Sequence, residues 1–400
     1  MISGDEIRPA AATPDTRHPL RLRHDQRLAL EACLLTDAAA IAAWEQWKRV
    51  ANLQDIEPGT FRLAPLMFRN LEALGVRDSA LGRLRGIYRA TWCANQLLFH
   101  AMLPHVARLQ ATGIRVILLK GSALSALHYR DLGARPMADL DVMVPPGDVE
   151  RAIGVLTNGG LTRAPGAPDR FNVTLARLFH AYTFEDPSGR HLDLHWRLFP
   201  APADSEEERE VWSAAVPVTL QGVTALALGP ADQLLHVCGH GVAWNHVPPL
   251  RWITDAAAVL HSSAGAIDWN RLRTMATRHQ LVLSLREALR TLEQSFAIAL
   301  PPGFLPSLQT LPISRAERLE FEASINPLGL ASWLVRTRMG VRAVSRSPAG
   351  HRLEAIGEVL RYVARTDRLR DTPWLLTRKL AWRVRRSAAA ISGGRTRGRA

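Results

Sequence analysis

IRVILLKGSALSALHYRDLGARPMADLDVMV, residues 114–144, decides how the rest of the chain is read. Ile114 to Leu119 is an apolar run of strand length, Gly121-Ser122 breaks it, a short helix follows, and a second strand carries two aspartates. Asp139 and Asp141 are separated by one residue, and strand side chains two apart share a face. Both carboxylates therefore point one way, while Leu140, Val142 and Val144 supply an apolar face. Two close carboxylates repel, and one is pushed toward its neutral acid unless a cation sits with them. A divalent metal held through oxygen resolves that conflict.

Downstream, Pro145-Pro146-Gly147-Asp148 turns into DVERAIGVLTN, which has helical spacing and stops at Gly159-Gly160. FHAYTFED and RHLDLHWRLF then alternate across Pro187-Ser188-Gly189, the pattern of a hairpin. Asp193 lies on the second of these strands with Leu192 and Leu194 facing away, and His195 shares its face. It is the best candidate for a third carboxylate. The expected core, residues 111–200, is a small mixed sheet with helices on one side.

Around that core the pattern is helical. Residues 1–24 read as a flexible lead-in, 25–110 as a helical cap that Thr112-Gly113 closes, and 201–330 as a second helical region. Residues 331–400 form an arginine-rich tail whose end has the composition of a disordered segment. The fold class expected is α+β, with N-terminal and C-terminal helical regions flanking the sheet.

The formal charge of +13 resides in the tail, where residues 331–400 hold 17 Arg and Lys against 4 acids. The remainder of the chain is balanced, which disfavours a long nucleic acid at the candidate site, since such a groove is basic. The tail itself is read as a charged extension, or as a weak contact for nucleic acid or an anionic membrane. Three cysteines in 400 residues give no disulfide framework, and no leader or long apolar span is evident, so a cytoplasmic location is expected.

Further candidates flank the site. Gly121 and Ser122 stand where a strand meets a helix, a place where backbone N–H groups and a hydroxyl meet a phosphate. Lys120 and Arg135 carry charge suited to a triphosphate. His236 and His240 are spaced for one helix face, but the glutamate of an H-E-x-x-H motif is absent, and a structural role is the expectation. Asp255 reads as an interhelical partner or a partner of Arg251. No Walker pattern and no dinucleotide fingerprint occur.

The order strand, Gly-Ser, helix, D-h-D strand resembles the polymerase-beta-like nucleotidyltransferase superfamily. LLKGSAL, Arg135 before ADLDVMV, DLHWRL, PADQLLHVCGHG and RWITDAAAVL are similar to its bacterial nucleotidyltransferase-5 group, over roughly residues 25–300. The resemblance implies Mg²⁺, or Mn²⁺ in its place, held by Asp139, Asp141 and Asp193, with Asp193 activating an acceptor hydroxyl. It also implies that a nucleoside triphosphate such as ATP is held by Gly121 and Ser122. The acceptor hydroxyl is left open among a small molecule, a sugar and a protein. Two rivals stand beside this reading: a non-catalytic nucleotide- or partner-binding descendant, and a nucleic-acid-associated protein recruited by its tail.

Overall fold

The computed structural model describes residues 22–53, 55–164, 179–199, 205–242, 250–325 and 356–357. Within them, β1 (Ile117–Leu118), β2 (Asp139–Met143), β3 (Thr162–Arg163), β4 (Ala181–Glu185), β5 (His191–His195), β6 (Val216–Leu220) and β7 (Val223–Ala227) form one mixed sheet. Its order is β3-β4-β5-β2-β1-β7-β6. β2 pairs antiparallel with β1 and parallel with β5, while β7 runs parallel to β1.

The chain reaches the sheet through helices α1 (His24–Leu34), α2 (Asp37–Val50), α3 (Pro58–Phe61), α4 (Ala64–Ala73) and α5 (Leu81–Ala111). Gly113, at φ +80°, ends α5 as the sequence predicts. Its N–H bonds the Gln110 carbonyl, and that of Ile114 bonds Leu109, closing a left-handed terminus that glycine adopts without strain.

Alternation sends neighbouring strand residues into two cores. Val116, Leu118, Leu140, Val142, Leu192 and Leu194 pack with Leu98, Phe99, Met102 and Val106 of α5, and with Ala152 and Leu156 of α7 (Val149–Asn158). Ile117, Leu119 and Met143 go the other way. They join Leu28 of α1, Trp44 of α2, Met67 of α4 and the helices Pro230–Val242, Arg251–Ser262 and Val282–Phe296. Each fully buried Leu or Val contributes about 1.5–3 kcal/mol relative to exposure, so a one-residue slip of β2 is strongly opposed.

One expectation changes here. Helices cover both faces of the sheet rather than one, because the Ile114–Leu119 run is apolar on both sides, the mark of a strand buried on both faces. Of the N-terminal helices, α1, α2, α4 and the start of α5 share a core with the C-terminal helices, and α5 from Leu98 onward packs on the opposite face of the sheet.

The β6–β7 hairpin falls in a region expected to be helical. Gln221 (φ +47°) and Gly222 (φ +81°) make its two-residue turn with both central residues left-handed, as tight hairpins require. Pro217 is tolerated because β6 is the sheet's edge. Among the described residues no helix is long and apolar enough to cross a membrane. Apart from residues 356–357, the arginine-rich tail lies outside the described residues, as does His246.

Candidate active site

β1 gives way to α6 (Lys120–Leu124) within one residue, while the Leu119 N–H still bonds the Asp141 carbonyl at 2.9 Å. Lys120 makes the turn at φ +45°, a left-handed conformation that costs a non-glycine residue about 1–3 kcal/mol. Its side chain returns over β2, and Nζ donates to Asp141 Oδ1 at 2.5 Å. His195 Nε2 lies 3.0 Å from the same oxygen.

The parallel β2–β5 register sets Asp141 opposite Asp193 and Met143 opposite His195. Alternation then brings Asp141, Asp193 and His195 onto one face, with a ligand atom from each inside a span of 4.8 Å. Among the described residues this is the one such group of His, Cys, Asp and Glu side chains. Asp139 lies outside it, half-buried at the start of β2.

The electrostatics separate the two aspartates. Burial, then the negative charges of Asp141 and Asp193, raise the Asp139 carboxyl above its ordinary value. Burial also acts to raise Asp141, but Lys120 and the His195 hydrogen bond outweigh it and hold this carboxyl well below the usual range. Lys120 is the mirror case: burial opposes its charge, and Asp141 keeps the ammonium above its ordinary value. The repulsion foreseen from sequence is thus met by a lysine of the chain itself.

Two carboxylates and an imidazole converging in this way fit a divalent ion. The oxygens suit Mg²⁺ and Mn²⁺, and the nitrogen adds a donor that Mn²⁺ or Zn²⁺ takes more readily than Mg²⁺.

The chain matches the model of a family described as uncharacterised nucleotidyltransferase over residues 59–297. It belongs to that family. No curated protein matches the chain. A crystal structure of an antigenic nucleotidyltransferase-like protein from Paracoccidioides brasiliensis resembles it at 14% identity and a TM-score of 0.30, covering 57% of this chain and 95% of the other. A likeness that loose carries no argument about the fold.

The family match spans the whole sheet and helices from both of its faces, though not α1 or α2, and the remaining candidates all fall inside it. Gly121 is required by packing: a Cβ there would lie 2.6 Å from Arg135 Nη1 and 2.6 Å from Met137 Cγ. Gly121→Ala is expected to cost about 1–3 kcal/mol by overpacking, checked by thermal unfolding. Ser122 is buried, and its hydroxyl donates to the Leu119 carbonyl at 3.0 Å.

Arg135 is also committed within the chain. It is buried and bonds Asp255 through two parallel contacts, Nε to Oδ1 at 2.8 Å and Nη2 to Oδ2 at 2.9 Å. The Tyr129 hydroxyl adds a third at 2.9 Å. Arg251, one of the partners expected for Asp255, feels its charge but donates its hydrogen bond to the Pro136 carbonyl at 2.8 Å. The positive charge of Arg135, then burial, push Arg251 down to about 10.

In this nucleotidyltransferase-family chain the residue that sequence reading undervalued is His195, noted only as sharing a face with Asp193. The D-L-H spacing was the available signal. His236 and His240, on the helix Pro230–Val242, have ring centroids 6.1 Å apart and fall outside the metal-capable group.

Burial pushes His240 down to about 4, helped by Lys120, and burial with His240 pushes His236 well below its ordinary value. The unfolded chain takes up protons at these rings below about pH 6.5, before the folded chain does. Their contribution to stability is therefore full above about 6.5 and lost as the pH falls toward 4. The unfolding midpoint is expected to drop between pH 7 and 5, and less steeply in His236→Phe.

Proposed function

We infer that the chain transfers a nucleoside monophosphate from a nucleoside triphosphate to an acceptor hydroxyl, releasing pyrophosphate. The observation that carries this reading is the convergence of Asp141, Asp193 and His195 directly beside Lys120. Membership of a nucleotidyltransferase family supports it.

Asp141, Asp193 and His195, with Asp139 at the strand's start, would hold a divalent ion, which would supply Lewis-acid charge for phosphoryl transfer. Asp141 does its part as a carboxylate, held ionised by Lys120 and His195. Asp193 accepts the proton of the acceptor hydroxyl as its oxygen bonds phosphorus. Lys120 offers positive charge to the triphosphate at the start of α6, where Gly121 and Ser122 contribute main-chain N–H groups. The Ser122 hydroxyl is already used by Leu119, so the main chain is its contribution. Arg135 acts at one remove, holding the return segment against Gly121.

The acceptor class is a small molecule, a sugar or a protein hydroxyl. Free Cys33, Cys93 and Cys238 suit a reducing cytoplasm.

Calorimetry of each nucleoside triphosphate with Mg²⁺ or Mn²⁺ tests the reading. Wild-type protein is expected to bind at least one triphosphate more tightly with metal than without, and the Asp141→Ala, Asp193→Ala double variant to gain nothing from metal. Wild-type protein that binds no triphosphate, or a double variant that binds as well as wild type, would sink it.

A further inference from the structure

Three carboxylates share one face of β2 and β5, and a single ammonium is set among them. Lys120 Nζ bonds Asp141 Oδ1 at 2.5 Å, and Asp139 and Asp193 add their attraction at longer range. The oxygen it holds belongs to the group of ligand atoms that converges for a metal. A dication drawn to Asp141, Asp193 and His195 therefore meets a positive charge already in place, and two cations at that range repel in a site where burial weakens screening.

Three features show how the contest is resolved. The Lys120 side chain is 23% exposed while that of Asp141 is 2% exposed, so of the two partners the lysine is the one nearer solvent. Lys120 is also the residue at which the strand turns into Gly121-Ser122, where the proposed function seats the triphosphate. Its left-handed backbone stands at this junction, so the same residue that reaches Asp141 also flanks the proposed phosphate seat.

We propose that Lys120 is a place-holding cation: it neutralises Asp141 before substrate arrives, moves to the phosphates of the incoming triphosphate, and thereby hands Asp141 to the metal. Resting on the nucleotidyltransferase reading, this assigns an order, triphosphate before metal, and makes Lys120 a positioning residue for the metal as well as a contact for the nucleotide. No bond is made or broken in the exchange. The free protein takes up metal poorly, and removing the lysine's charge helps the metal while harming the nucleotide.

Opposite changes in one variant are the signature. Mn²⁺ binding to the protein alone is followed by loss of the free-ion electron paramagnetic resonance signal, and ATP binding by calorimetry in EDTA. Lys120→Met is expected to bind Mn²⁺ at least about 10-fold more tightly than wild type and metal-free ATP at least about 10-fold more weakly, a tenfold change being about 1.4 kcal/mol. Lys120→Arg is expected to return both toward wild type. Lys120→Gln replaces Lys120→Met if circular dichroism shows the latter unfolded. A merely structural role moves both affinities the same way. Unchanged or weaker Mn²⁺ binding in the charge-free variants overturns the place-holder while leaving the metal site standing. No Mn²⁺ binding by wild type or variants, with or without triphosphate, overturns the metal reading itself.

Discussion

Asp141→Asn is expected to lower label transfer from a nucleoside triphosphate by at least about 100- to 1,000-fold, the range seen when one preorganised charge-stabilising group is lost. Three consequences meet at this atom. The substitution removes the charge that a metal needs, and it leaves Lys120 and His195 a neutral amide oxygen in place of the carboxylate oxygen that both contact. It also leaves the amide of asparagine able to face two donors. Stability should suffer less than activity, because the Lys120 side chain is partly exposed and is not left wholly out of water when its partner loses charge. The pair of measurements that separates these effects is the transfer rate and the unfolding midpoint of the same variant. Asp139→Asn is expected to be milder, since Asp139 lies outside the converging group. Equal losses at the two positions would contradict the geometry.

The second large effect is on stability. Asp255→Ala strips the buried Arg135 of both its parallel contacts and leaves it near a second, half-buried guanidinium, Arg251, which its charge repels. Breaking a buried pair by removing one partner costs about 3–5 kcal/mol. The double variant Arg135→Met, Asp255→Leu is expected to lose less than Asp255→Ala, because no charge is then left unpaired. Urea unfolding of the three proteins gives the comparison. A single variant as stable as wild type would show that the pair does not tie the site's return segment to the helix Arg251–Ser262.

What could be read from residues alone was the local part. The apolar run, Gly-Ser break, aspartate alternation and β4–β5 hairpin follow from spacing within a few residues, and the helices Pro230–Val242 and Arg251–Ser262 from their apolar stripes. Which carboxylates converge was another matter. It depends on β2 lying parallel to β5 in one register, a pairing between distant segments that no local pattern specifies. The Arg135–Asp255 pair joins residues 120 apart, so an arginine suited to phosphate proved to be committed within the chain. The cation between the aspartates was likewise invisible until the left-handed turn at Lys120 aimed its side chain. The β6–β7 hairpin had a readable signal in its alternation about Gln221-Gly222, passed over because helical stretches follow it.

The most direct test of the central claim is which phosphorus leaves with the acceptor. Wild-type protein, Mn²⁺ and cell extract are incubated in parallel with each triphosphate labelled at the α- or the γ-phosphate. Nucleotidyl transfer predicts acid-stable label in an acceptor from the α-phosphate alone, with pyrophosphate released and the label lost in Asp193→Asn. Label entering the acceptor from the γ-phosphate and not the α-phosphate would contradict the account.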